Sequence, residues 1–195
     1  MSAPWERLCA FLIDTGRLKL VERSAWVSDR SRHENSAEHS WHLALGLLAI
    51  ARELNLALDL EKALRMALVH DLCEIDAGDV SAYDAAARAA HAQAERECIE
   101  RLAASGLALG PELSALWLEY EAQETLESRW VRVLDRLMPF VVNLSNGGQA
   151  WKDHAITRSQ VVRINDPVRQ HAPELFAWML GRIDDCVAWG WLREG

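Results

Sequence analysis

Half of this 195-residue chain is hydrophobic, yet no stretch approaches the roughly 18 consecutive uncharged apolar residues that a membrane-spanning helix needs. A membrane span is therefore not expected. The N-terminus, MSAPWERLCAF, carries an acid and lacks the charged-then-apolar layout of a signal peptide, which points to the cytoplasm. Cysteine is sparse: Cys9, Cys73, Cys98 and Cys186 lie far apart with no C-x-x-C, which argues against a disulfide framework or a zinc knuckle and reads as reduced core thiols. Positive charge is short as well, and a formal net charge of -8 disfavours long nucleic acid as a partner. Repeats, low-complexity tracts, Pro/Gly/Ser linkers and convincing strands are all missing. What remains is one all-α domain, long enough for one core and too short to require two.

The average charge conceals an island. Residues 17–33 hold Arg17, Lys19, Arg23, Arg30 and Arg32 against Glu22 and Asp29, a net of +3 that ends six residues before His39. A solvated surface loop and the rim of a pocket for one anionic small molecule both fit. Trp26 lies within the island and is a candidate pocket residue, whereas Trp117, Trp130, Trp178 and Trp189 sit beside Leu and Val as core or dimer-interface residues do.

Helix signals run through the chain. Pro4 opens a helix to about Thr15 with Gly16 as its stop, and Ser36 caps one to about Leu54 without the Glu of a full capping box. Asp59 caps a helix ending near Glu74, and Gly78 is the expected left-handed residue of the acidic turn that follows. Segments 81–105, 111–122 and 124–138 read as further helices, 145–148 as a turn, and 173–192 as the closing segment. Pro139 withholds the N–H that the carbonyl of residue 135 would accept, so the helix is expected to kink or end at Asp135.

Chemistry concentrates at the pair His70-Asp71, which ends the apolar run ALRMALVHDLCE (63–74), where such a pair seldom sits unless it binds something. His39, in ENSAEHSWHLAL, and Asp135, in WVRVLDRLMPF, complete two imidazoles and two carboxylates from three helical segments. That mixed nitrogen and oxygen set suits a divalent transition metal. Consecutive side chains of a helix diverge by roughly 100°, so His70 and Asp71 must converge on an ion lying between their directions. His42, one turn from His39, is the rival ligand but leaves Asp71 and Asp135 unexplained. Glu74, one turn after His70, is either a solvated carboxylate or a general acid/base beside the ion. His91, His154 and His171 have no partner at useful spacing and read as surface or satisfied core positions.

The pattern H…HD…D resembles that of the HD-domain metal-dependent phosphohydrolases. RLKLVER (17–23), ENSAEHS (34–40), ALVHDLCEIDAGDV (67–80) and LWLEYEAQETLESRWVRVLDRL (116–137) are similar, in order and spacing, to blocks of the 5'-deoxynucleotidase branch. The resemblance covers about residues 7–145. It implies an HD-domain helical bundle spanning 1–195, with the motifs in 7–145 and the helices of 150–195 packed on them. It also implies one divalent metal ion (cobalt, manganese, zinc, iron or magnesium) held by His39, His70, Asp71 and Asp135, and hydrolysis of (deoxy)nucleoside 5'-monophosphates to nucleoside and phosphate. By the same carry-over Arg23 meets the phosphate, Glu74 serves proton transfer, Asp79 contacts the substrate, and the protein is a homodimer. Alternatives are an HD hydrolase of a cyclic nucleotide, triphosphate or alarmone, and a non-catalytic nucleotide-binding module. A di-iron oxygenase variant of the fold needs two more histidines between the doublet and the last aspartate, and only His91 lies there.

Overall fold

The computed structural model describes residues 4–195; the first three residues, part of the N-terminal stretch and of the 1–195 domain read above, lie outside the described residues. Helices α1 (Pro4–Thr15), α2 (Ser36–Glu53), α3 (Leu60–Val69), α4 (Glu74–Ala77), α5 (Ala85–Ala103), α6 (Gly110–Ala122) and α7 (Leu126–Ser145) come first. The short helices α8 (Gln149–Asp153), α9 (Arg158–Ile164) and α10 (Asp166–His171) then lead to α11 (Pro173–Ala188).

Among the described residues the regular structure is helical apart from one hairpin and a single bridge between Thr157 and Arg193. Strands β1 (Glu22–Trp26) and β2 (His33–Asn35) pair antiparallel, with Glu22 opposite Asn35 and Trp26 opposite His33. This corrects the reading of 17–33 as strand-free. Neither segment alternates apolar and polar residues, so the strands owe their existence to each other and to the turn in which Val27 N–H donates to the Arg32 carbonyl (3.1 Å). The hairpin divides the basic island. Arg17 pairs outside with Asp14 (3.0 Å) and Asp76 (3.2 Å), Arg32 with Glu38 (2.7 Å), and Arg23 turns inward.

Three helix boundaries differ from expectation, each for a local reason. Asn35, not Ser36, caps α2: its side chain accepts the Glu38 N–H (3.0 Å) while Glu38 accepts the Asn35 N–H (3.3 Å), a complete capping box. Asp59 does cap α3, but that helix stops at Val69 rather than near Glu74. Tight turns follow, with Leu72 N–H on the Val69 carbonyl and Glu74 N–H on the Asp71 carbonyl, both at 3.0 Å, and they reset the directions of His70 and Asp71. Helix α7 passes through Pro139 and ends only at Ser145, because Leu137, Met138, Phe140 and Val142 are buried on both sides of the missing hydrogen bond. Gly78 has the expected positive φ (+81°).

Leu43 and Leu47 of α2, Met66 of α3, and Val131 and Leu134 of α7 are fully buried in one cluster. Phe176, Met179 and Ile183 of α11 belong to the same cluster, so the C-terminal helices complete the core instead of forming another. Gly46 lets α2 and α7 approach closely, since a Cβ there would lie 3.0 Å from Met138 Cε. Cys73, Cys98 and Cys186 are buried thiols. Cys9 is exposed, against expectation, because α1 buries none of its residues. Trp117 and Trp130 are core residues, while Trp178 and Trp189 are about half exposed. Among the described residues no helix is long and apolar enough to cross a membrane.

Candidate active site

Three elements bring together donors that are far apart in sequence. His39 projects from the first turn of α2 and is fully buried, with Nε2 3.2 Å from Oδ1 of Asp135 on α7. His70, just past the end of α3, donates from Nδ1 to the Ala67 carbonyl (2.8 Å), which orients its ring so that Nε2 faces the site; Asp71 raises its pKa despite burial, and a bound ion would take the place of the Nε2 proton. One ligand atom from each of His39, His70 and Asp135 lies within 4.8 Å of the others. Asp71 flanks them, with Oδ1 3.2 Å from His70 Nε2 and Oδ2 3.9 Å from His39 Nε2. His70 Nε2 is buried and has no hydrogen-bond partner. An orphaned imidazole nitrogen facing two buried carboxylates is what a divalent ion would satisfy, so these donors fit one.

Each donor is braced from behind. Tyr120 of α6 donates its hydroxyl to Asp135 Oδ2 (3.0 Å), leaving Oδ1 for the centre. Glu34 of β2 is buried and lies 3.8 Å from His39 Nδ1. Arg23 of β1 donates through Nη1 to Asp71 Oδ2 at 2.9 Å and also approaches Asp79 (3.3 Å), Glu74 (3.7 Å) and Glu34 (3.8 Å). Glu74 accepts a hydrogen bond at Oε2 from Ser36 Oγ.

The environment divides the carboxyl groups into two classes. Burial would raise Asp71 and Asp135, but His70 and Arg23 hold Asp71 down at about 2, and Arg136 with His39 holds Asp135 well below the usual range. Burial and the neighbouring Asp71 push Glu74 well above its ordinary value, and burial raises Asp79 despite Arg23. Burial likewise lifts Glu34 to about 7. His39 is pulled down to about 4 by burial and by Arg23, so it is neutral, as a ligand must be. Two carboxyl groups held low beside one pushed up are complementary tools for acid/base chemistry.

A cavity of about 430 Å³ opens from this cluster. Arg23, His70, Asp71, Glu74, Asp79 and Asp135 line it together with Tyr83, Phe140, Trp151 and His154. His39 stands behind the wall. Trp26 does not line the cavity: its Nε1 donates to Asp153 Oδ2 (2.7 Å) and its ring lies against His33, tying the hairpin to α8. His42 is outside the cluster and stacks on Trp41. Sequence reasoning missed Glu34, Ser36 and Tyr120. Only Ser36 had a signal, since Asn35 could already cap α2 and left the serine hydroxyl without a role.

A family model of the HD domain matches residues 15–176. The 5'-deoxynucleotidase HDDC2 of Bos taurus is 33% identical over 131 residues, 66% of this chain and 62% of that protein. The Homo sapiens protein of the same name is 31% identical over 131 residues, 66% of this chain and 63% of its own length. The chain thus spans less than two thirds of these curated relatives. A solved structure described as a predicted metal-dependent phosphohydrolase, from Magnetospirillum magnetotacticum MS-1, superposes with a TM-score of 0.88 at 35% identity. That alignment covers 96% of this chain and 95% of the other.

Proposed function

The chain belongs to the HD-domain family, and from that premise we propose that it is a metal-dependent phosphohydrolase that cleaves (deoxy)nucleoside 5'-monophosphates to nucleoside and phosphate. The convergence of His39, His70 and Asp135 beside a cavity, with the orphaned His70 Nε2 among them, carries this reading. The names of the relatives supply the substrate class. The whole chain, 1–195, is read as one HD domain with its motifs in 7–145.

His39, His70, Asp71 and Asp135 would hold the ion, whose chemistry when bound is to polarise a phosphate oxygen and make water a better nucleophile. Cobalt or manganese is favoured by the resemblance, and zinc, iron and magnesium are the rivals. Arg23 offsets charge on the phosphate. Glu74 keeps its proton on Oε1, because Oε2 already accepts from Ser36, and gives that proton to the departing 5'-oxygen. Asp79 is positioned by Arg23 to meet the sugar. Tyr83, Phe140 and Trp151 offer the base an aromatic wall in place of Trp26.

A homodimer is supported by the uncovered apolar residues Trp5, Leu12 and Ile13 of α1 and Trp41 and Leu45 of α2. Four unpaired thiols suit the reducing cytoplasm. The test is phosphate release from a panel of nucleotides by metal-stripped protein with each divalent ion restored. Release from 5'-monophosphates is expected. No release with any metal from any nucleotide would leave a binding module.

A further inference from the structure

A hollow of about 340 Å³ adjoins the main cavity and shares Ala82, Arg88, Arg132, Arg136 and Ile164 with it; Arg163 and Pro167 complete its wall. Four of its seven lining residues are arginines, supplied by α5, α7 and α9, and none carries a carboxylate. In a chain of net charge -8 that grouping is a strong local inversion.

The four cations are unequally compensated. Arg132 pairs with Glu121 (3.2 Å), approaches Asp135 (3.6 Å) and lies over the Tyr120 ring. Among the described residues Arg136 makes one ion pair, with Asp135 at 3.8 Å, and its Nε is buried without a hydrogen-bond partner. Arg88 and Arg163 stand exposed at the rim, and neither makes an ion pair or a side-chain hydrogen bond among the described residues. Like charges gathered in this way repel until an anion sits between them, and guanidinium forks match the oxygens of a phosphoryl group. Asp135 links the hollow to the candidate metal centre, since its Oδ2 faces Arg132 and Arg136 while its Oδ1 faces His39.

We propose that this arginine hollow is a second anion site that binds a phosphoryl group other than the one hydrolysed. The group comes either from a nucleotide carrying a second phosphate or from free phosphate or pyrophosphate. Its placement relative to the reacting phosphate rests on the phosphohydrolase reading, whereas the anion site itself does not.

Calorimetric titration of pyrophosphate into the metal-stripped protein tests the site without catalysis. Binding is expected in the wild type and at least about tenfold weaker in Arg88→Gln/Arg163→Gln, with Arg163→Lys recovering part of the loss. Equal binding to wild type and double variant, or no binding to the wild type, overturns the proposal. With metal restored, the ratio of kcat/KM for a nucleoside 3',5'-bisphosphate or 5'-diphosphate to that for the 5'-monophosphate identifies the source. A ratio of at least about ten that collapses in the double variant assigns the second phosphate to the substrate. A ratio near one, with pyrophosphate binding still dependent on the arginines, assigns it to the free anion. If no nucleotide is hydrolysed, the phosphohydrolase reading fails and the titration still decides the hollow.

Discussion

Arg23 donates to Asp71 Oδ2 at 2.9 Å, so the hairpin cation bears on a candidate metal ligand as well as on the cavity. Four carboxyl groups, from Glu34, Asp71, Glu74 and Asp79, surround this one guanidinium. The charge of Asp71 above all, with that of Asp79, holds Arg23 above its ordinary pKa in spite of burial. Removing it strands buried anions, and breaking a buried pair on one side costs about 3–5 kcal/mol. Arg23→Ala should therefore destabilise the metal-free protein by that order in urea unfolding, and added divalent ion should recover part of the loss. A metal-free variant within about 1 kcal/mol of wild type would show that the cage contributes little.

The donor set predicts a sharp contrast among histidines. His70→Ala and Asp71→Ala should each abolish stoichiometric metal content by elemental analysis, while His42→Ala, whose ring lies on Trp41, should retain it. Metal at a hundred times its Kd stabilises a fold that binds it only when native by about 2.7 kcal/mol. That increment should vanish from the first two variants. Full metal occupancy in Asp71→Ala would remove Asp71 from the ligand set.

What sequence disclosed and what it hid follow from the range of each signal. His70, Asp71 and Asp135 stood out because polar groups interrupt apolar helical runs, a local anomaly that needs no knowledge of neighbours. The helix periods of α2, α3 and α7 were equally local. The hairpin was not, since β1 and β2 have no alternation and exist only as a pair. Glu34 and Tyr120 are ordinary residues until tertiary packing sets them against His39 and Asp135. Arg88, Arg132, Arg136 and Arg163 are dispersed over three helices, while the cations adjacent in sequence, Arg17 to Arg32, were parted by the hairpin. Trp26 shows the opposite failure: its location in a basic segment suggested a pocket, but its indole reached Asp153 instead.

Glu74 supplies the test of proton transfer. Glu74→Gln preserves shape and the means to accept from Ser36 Oγ but carries no transferable proton, so turnover should fall by at least about a hundredfold with metal content unchanged. Ser36→Ala, a change at a positioning residue, should shift the pH profile of kcat and lower its maximum by a smaller factor. Turnover of Glu74→Gln within about threefold of wild type would assign the proton to another group.

Acid stability offers a test remote from the active site. Glu127, in the first turn of α7, accepts the Asp59 N–H at 2.8 Å and pairs with Lys62 at 2.9 Å, joining the start of α7 to the cap of α3. Burial would raise its pKa, but the Lys62 and Asp59 hydrogen bonds prevail and hold it below the ordinary value. The folded state therefore binds fewer protons here than the unfolded chain, whose glutamates titrate near about 4.3. Stabilisation by Glu127 is complete above that value and is lost as pH falls through the lower, folded one. In urea unfolding from pH 7 down to pH about 3, wild type should exceed Glu127→Gln in stability by a constant margin until about pH 5, and the margin should then shrink. Lys62 also pairs with Glu119 at 2.9 Å, so the variant should not strand the lysine. A margin that stayed constant across the whole range would show that Glu127 acts through packing alone, without its charge.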